Sequence, residues 1–138
     1  MRILVVEDEP RILSFLVRGL ESEGFAVDSE LDGASALRRA AARRYDLVVL
    51  DLLLPRLDGL SVLRELQRSR PGLPVVILSA RSDLATKLRG FELGASDYVA
   101  KPFAADHLAG MDDELVQELE LSIREIGHER PHLRLSAR

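Results

Sequence analysis

The chain has 138 residues, of which 46% are hydrophobic and 30% charged, and its formal net charge is −4. This length suits a single domain with a buried core. The lack of cysteine excludes a disulfide framework and a thiolate metal site. The acidic balance gives no broad basic surface, so we expect no direct binding of nucleic acid.

Apolar runs predict five buried strands. They occupy residues 2–6, 25–31, 47–50, 75–78 and 97–100, and each is short and bounded by turn residues. No run approaches the length of a membrane span, and the first element is a strand rather than a signal peptide. We therefore expect a cytoplasmic protein without contact to a membrane.

Apolar residues at helical spacing predict helices between the strands. Ile12, Leu16 and Leu20 share one face of the first helix, which ends before Gly24. The later helices carry equivalent sets: Ala36, Leu37 and Ala40; Val62, Leu63 and Leu66; and Leu84, Leu88 and Phe91. This alternation predicts βαβ units and a parallel sheet, whose ligands bind at the carboxyl ends of the strands.

Polar side chains follow four of the strands at those ends. Glu7 and Asp8 follow the first strand, Asp51 the third, Ser79 the fourth and Lys101 the fifth. Crowded carboxylates need a cation or a shared proton, and oxygen ligands without His or Cys suit Mg²⁺. A carboxylate can attack phosphorus to form an acyl phosphate, while a lysine and a cation neutralise the transferred group. We predict that Asp51 is that nucleophile.

Four motifs occur in order along residues 1–103. They read V-V-E-D-E-P at 5–10, D-L-L-L-P at 51–55 with D-G at 58–59, V-I-L-S-A at 76–80, and G-A-S-D-Y-V-A-K-P-F at 94–103. Together they resemble the receiver domain of bacterial two-component response regulators, in wording closest to the OmpR-like subfamily with a winged-helix DNA-binding domain. The resemblance implies a doubly wound α/β fold of the flavodoxin or CheY type, with strand order 2-1-3-4-5.

The resemblance also implies a magnesium site and a phosphodonor. Asp51 would accept the phosphoryl group from a sensor histidine kinase. Asp8, Asp51 and the main-chain carbonyl of Leu53 would bind Mg²⁺ directly, and Glu7 would act through the waters of the metal. A simpler reading keeps Glu7 and Asp8 as caps of the helix that opens at Pro10.

A conformational switch is implied as well. Lys101 and Ser79 would contact the phosphoryl group, and movement of Ser79 would leave space for the ring of Tyr98. Simpler readings are an ordinary loop serine, a turn lysine and an edge-strand tyrosine without a switching role. Gly59, after Asp58, is predicted to need a positive φ.

The last 35 residues depart from the family. One apolar stripe comprises Leu108, Met111, Leu115, Leu119, Ile123 and Ile126. The stripe predicts a single helix from about Ala105 to Ile126, ended by Gly127, with a break at Gly110 as the main alternative. We predict three segments: a receiver domain at 1–110, an extension of the fifth helix at 111–127 and a flexible tail at 128–138.

The extended helix predicts a homodimer. An extension beyond the sheet would leave the stripe without cover, and such a stripe usually finds a partner. The rival arrangement is a helix folded back on its own sheet. The winged-helix relatives dimerise through the fourth helix, fifth strand and fifth helix, but the arginines usual in the fifth helix are missing here.

Two classes of function follow. The first is a phosphoacceptor module that is not an enzyme beyond its own phosphorylation and dephosphorylation, and the second is an interaction module that acts through the long helix. The H-E-x-x-H match at 128–132 resembles a zinc-protease motif. Pro131 is incompatible with the helix interior that this chemistry needs, so we reject a protease.

Overall fold

The computed structural model describes residues 1–80, 83–101 and 112–129. Strands and helices alternate there in the order β1 (Arg2–Val6), α1 (Pro10–Ser22), β2 (Ala26–Glu30), α2 (Gly33–Ala42), β3 (Leu47–Asp51), α3 (Gly59–Ser69), β4 (Val75–Ser79), α4 (Leu84–Glu92), β5 (Asp97–Ala100) and α5 (Asp112–Glu129). The strands form one parallel sheet in the order β2-β1-β3-β4-β5. This confirms the predicted fold, and each predicted strand is correct to within one residue at either end.

Each face of the sheet carries its own core. Successive side chains of a strand point to opposite faces, so Ile3 and Val5 pack with α1 and α5, whereas Leu4 and Val6 pack with α2 and α3. Burial on both sides explains why the strands read as continuous apolar runs. None of the helices in the described ranges is long and apolar enough to cross a membrane.

Strand register brings the polar strand ends to one edge. Val6 pairs with Leu50, so the next residues along, Glu7 and Asp51, lie at the same level of the sheet. Asp51 in turn pairs with Leu78, one residue before Ser79. Parallel pairing therefore gathers these side chains at the carboxyl edge, as the sequence predicted.

Gly59 is needed for a different reason from the one predicted. It begins α3 and does not have a positive φ. A Cβ at this position would lie 2.4 Å from the Cα of Leu52 and 2.5 Å from the carbonyl oxygen of Asp51. The Gly59 N–H donates to the Leu52 carbonyl at 3.0 Å. Only glycine lets α3 start this close to the end of β3.

The apolar residues of α4 do not form its buried face. Leu84, Leu88 and Phe91 are 69%, 52% and 45% exposed. The helix meets the sheet through Gly90 instead, where a Cβ would lie only 2.5 Å from Cδ1 of Ile77. A glycine on the inner face allows close contact with the sheet, and the predicted stripe consequently faces outward.

The structure also corrects the prediction for α5. Its stripe is buried in the core that the sheet forms with α1 and is not an uncovered surface; the residues concerned are Leu115, Leu119, Ile123 and Ile126. The observed arrangement is thus the rival, a helix folded back on its own sheet. Packing the stripe within one chain avoids the translational and rotational entropy that two chains lose on association, which favours this arrangement over a dimer. The prediction that this stripe is exposed is therefore wrong, and the predicted homodimer through α5 loses its basis.

Close contacts fix α5 in this place. A Cβ on Gly19 of α1 would lie 2.6 Å from a methyl group of Val116, so the two helices approach closely. The Ser122 hydroxyl, buried on α5, donates to Asp97 Oδ2 of β5 at 2.6 Å. Asp97 is thus engaged within the chain.

The boundaries predicted for the C-terminal part are only partly described. The helix runs through Gly127 to Glu129, so Gly127 does not end it, and His128 belongs to the helix rather than to a tail. The predicted start near Ala105 and break at Gly110 lie outside the described residues, as does 130–138. The division into three segments remains a prediction.

Truncation of one stripe residue tests the packing of α5. Leu119→Ala should lower the free energy of unfolding by about 2–5 kcal/mol because it leaves a cavity in the core. The matched variant Leu121→Ala, on the exposed side of the same helix and 63% exposed, should change it by less than about 0.5 kcal/mol. Urea denaturation measures both, and equal effects would contradict the intramolecular packing.

Candidate phosphoacceptor and metal site

Two buried carboxylates and one ammonium group form the centre of the site. Glu7 follows β1 and is 0% exposed, and Asp51 ends β3 and is 1% exposed. Lys101, directly after β5, places its Nζ 2.7 Å from Glu7 Oε1 and 3.2 Å from Asp51 Oδ2. The structure thus brings together three of the predicted site residues from three strands.

The carboxylates fit a hard divalent cation. Glu7, Asp8 and Asp51 each offer one oxygen, and these three atoms lie within 4.8 Å of one another. Glu7 Oε2 accepts the N–H of Glu9 at 3.1 Å. Glu7 Oε1 is buried and has Lys101 Nζ as its charged neighbour at 2.7 Å. Three carboxylate oxygens this close together form a donor set that suits Mg²⁺.

Burial and charge shift the pKa values of this group. Burial, and secondly the negative charge of Asp51, raise the pKa of Glu7 from 4.5 to about 8, although Lys101 acts in the opposite direction. Burial lowers the pKa of Lys101, but the charges of Asp51 and Glu7 outweigh that effect and the pKa is raised. Near neutral pH the metal-free site therefore keeps both a protonated lysine and a proton on Glu7.

The remaining predicted residues lie around this centre. Ser79 is buried at the end of β4, and its carbonyl accepts the Lys101 N–H at 2.8 Å. The Leu53 N–H donates to Asp51 Oδ1 at 3.1 Å, which orients the carboxylate, while the predicted metal contact of the Leu53 carbonyl stays a prediction. Tyr98 is half-buried on β5, and Lys87 Nζ of α4 lies 5.5 Å from its ring centroid.

The loops hold residues that sequence reasoning missed. Neither Glu7 nor Asp8 caps α1; the N-cap is Glu9, whose side chain accepts the N–H of Arg11. Asp58 caps α3 through the N–H of Ser61 at 3.0 Å, and the Asp-Gly-x-Ser spacing carries that signal. Arg56 has a φ of 66°, and nothing in the sequence indicated it.

The chain is similar to known proteins. The family described as "Response regulator receiver domain" matches residues 3–111. The chain belongs to this family. Similar proteins include the transcriptional activator protein IrlR of Burkholderia pseudomallei, 48% identical over 75% of this chain and 44% of the relative. The transcriptional regulatory protein PrrA of Mycobacterium leprae is 46% identical over 78% of this chain and 46% of the relative.

A solved structure extends the comparison. The response regulator DrrB of Thermotoga maritima, an OmpR/PhoB homologue, is 30% identical with a TM-score of 0.74, and the match covers 91% of this chain and 53% of DrrB. The receiver chain spans less than half the length of the curated relatives that it matches. The resemblance to the OmpR-like subfamily is therefore confirmed over the receiver part.

The raised pKa of Glu7 predicts how stability depends on pH. The folded receiver keeps the proton up to a pKa of about 8, whereas the unfolded chain releases it near 4.5. Without Mg²⁺, the free energy of unfolding should therefore fall as pH rises through this interval. Glu7→Gln should flatten the fall, and Glu21→Gln, on the exposed side of α1, should leave it intact.

Urea denaturation in EDTA at several pH values measures this dependence. Added Mg²⁺ should stabilise the wild-type receiver most at the upper end of the interval, where Glu7 is ionised. Identical slopes for the wild type and Glu7→Gln would show that Glu7 does not carry the shift.

Proposed function

We propose that this receiver accepts a phosphoryl group on Asp51 from a sensor histidine kinase, with Mg²⁺ as its cofactor. The observation that carries the proposal is the contact of Lys101 Nζ with both buried carboxylates, at 2.7 Å and 3.2 Å, beside the third carboxylate of Asp8. A surface serving only for protein contact would have no reason to bury two acids and a lysine, because burying charge is costly.

Each residue has a distinct task in the transfer. A carboxylate oxygen of Asp51 forms a bond to phosphorus while the bond from phosphorus to the nitrogen of the donor breaks. Lys101 neutralises charge on the transferred oxygens, and the Leu53 N–H holds the nucleophile in position. Asp8, Asp51 and the Leu53 carbonyl would hold Mg²⁺ directly and Glu7 through water. When bound, the metal supplies positive charge to the phosphoryl oxygens.

Ser79 and Tyr98 are the proposed switch. Ser79 lies at the same sheet edge as Asp51, and its hydroxyl is the proposed ligand of a phosphoryl oxygen. Tyr98 pairs across the ladder with Ile77, two residues before Ser79. Its contact with Lys87 links the ring to α4. A shift of Ser79 toward a phosphoryl group would therefore reach α4 through Tyr98.

The module is proposed to signal rather than to turn over a separate substrate. Its relatives are named as transcriptional regulators, and each is about twice the length of the matched part. We propose that the receiver works in the cytoplasm and does not itself bind nucleic acid. The alternative of an interaction module acting through the α5 stripe loses its basis, because that stripe is buried.

Phosphorylation by a small acyl phosphate tests the proposal. The intact mass should rise by one phosphoryl group with Mg²⁺ present and should not rise in EDTA or in Asp51→Asn. Lys101→Met should react about a hundredfold more slowly, the cost of removing one charge-stabilising donor. Asp58→Asn, an exposed acid in the same loop, should behave as the wild type. Labelling of Asp51→Asn at the normal rate would refute the assignment.

We propose further that the receiver passes on its signal through protein contacts on α4 rather than on α5. Leu84, Leu88 and Phe91 expose an apolar stripe there, next to the strand that carries Tyr98. Exposed apolar groups of this kind mark interaction surfaces. We propose that the receiver self-associates through this α4 surface, which the switch can reach.

Sedimentation of the phosphorylated receiver tests the α4 surface. Phosphorylation should promote association in the wild type, and Leu88→Glu should abolish association without slowing phosphorylation, because a charge replaces an apolar contact. Leu121→Glu, on the exposed face of α5, is the matched control and should associate normally. Association that survives Leu88→Glu but is lost in Leu121→Glu would place the surface on α5.

A further inference from the structure

A second polar pocket lies at the opposite edge of the sheet from Asp51. It occupies about 540 Å³ where β3 and β4 begin, within the ~300–1,000 Å³ usual for small-molecule sites. Its lining includes Arg44, Tyr45, Asp46, Arg70, Leu73 and Pro74. Two guanidinium groups therefore share one recess that the phosphoacceptor chemistry does not use.

The positive charge of this recess is only partly balanced. In the part of the chain that the structure describes, neither Arg44 nor Arg70 forms an ion pair with a carboxylate. Asp46 lines the same pocket, but its Oδ2 accepts the main-chain N–H of Arg2 at 2.7 Å. Burial, then the charge of Arg44, lower the pKa of Arg70, whereas Asp46 acts to raise it. An anion in the recess would relieve the repulsion between the two arginines.

One nitrogen of the Arg70 guanidinium group lacks a hydrogen-bond acceptor among the residues that the structure describes. Its Nη2 donates to the Tyr45 carbonyl at 3.1 Å, but its Nη1 is buried without an acceptor among the described residues. A buried donor without a partner is costly, so such groups call for an acceptor oxygen from a ligand or water. A planar guanidinium group suits the oxygens of a phosphate or carboxylate group.

The main chain holds Arg70 in a fixed position. Its main-chain N–H donates to the carbonyl of Leu66, in the last turn of α3, at 2.8 Å. The next residues form a tight turn, with Pro71 at the second position, Gly72 at a φ of 85°, and the Leu73 N–H donating to the Arg70 carbonyl at 3.1 Å. The Gln67 side chain donates to the Leu73 carbonyl at 2.7 Å. This turn fixes the main chain at Arg70, and the bond from Nη2 to the Tyr45 carbonyl orients the guanidinium group, so the side chain loses less freedom when it binds an anion.

We propose that the pocket formed by Arg44 and Arg70 is a binding site for a small oxyanion, either a phosphate or a carboxylate group. The two arginines would hold the oxyanion, and Leu73 and Pro74 would contact an apolar part of a larger ligand. The site lies at the amino-terminal edge of the sheet, so its occupant does not compete with the phosphoryl group for Asp51.

Amide NMR spectra of the full chain test this site. Inorganic phosphate and, in a separate arm, succinate are titrated in chelator-free buffer stripped of divalent metal ions, at constant ionic strength and with chloride as the balancing salt. The expected result is a saturable shift confined to the amides of residues 44–46, 70, 72 and 73 with at least one of the two anions. The arm that saturates identifies the type of oxyanion.

Two substitutions and one control assign the binding. Arg44→Gln and Arg70→Gln should each weaken it by about tenfold or more, the effect expected for loss of a hydrogen bond to a charged group. Arg64→Gln, on the exposed side of α3, should bind as the wild type. Arg44→Gln leaves the α3 end and its turn intact, so it remains informative if Arg70→Gln folds poorly. Shifts that do not saturate with either anion, or that persist in both Gln variants, overturn the proposal.

Discussion

The burial of Glu7 and Asp51 beside each other is the constraint around which this receiver is arranged. Both carboxylates are buried at the ends of neighbouring strands, where the low polarity of the interior makes their charges costly. Lys101 contacts both and offsets only part of the cost, since the pKa of Glu7 remains raised to about 8. A divalent cation would offset the remaining negative charge, and it would also attract the oxygens of an incoming phosphoryl group.

The rest of the fold keeps this arrangement in place. Parallel pairing brings the strand ends to one level, and the two-sided core opposes slipping of the strands, since a shift of one residue would move every side chain of a strand into the core on the other face. Gly59 lets α3 start against the end of β3, and Gly19 lets α5 pack closely on α1. Ser122 joins α5 to Asp97, so the helix also supports the strand that delivers Lys101.

The two edges of the sheet have opposite electrostatic character. Three carboxylates lie at the carboxyl edge, where a cation would be stabilising. Arg44 and Arg70 lie in the recess at the amino edge, where an anion would be stabilising. In the recess, Arg70 Nη1 is buried without a hydrogen-bond partner among the residues that the structure describes. Unsatisfied groups of this kind are uncommon in native proteins, and they mark where a ligand would be stabilising.

The amino-acid sequence by itself determined the strands and the residues at their ends. A doubly buried strand needs an apolar run, and the rule that ligands bind at carboxyl ends then places Glu7, Asp51 and Lys101 together. Helical spacing identified the stripes of α4 and α5 but not their surroundings, because spacing says which residues share a face and not what that face meets. Only the tertiary structure decided that Gly90 turns the α4 stripe outward and that the core with α1 buries the α5 stripe. The pocket of Arg44 and Arg70 likewise depends on contacts between residues far apart in the chain, which no local pattern records.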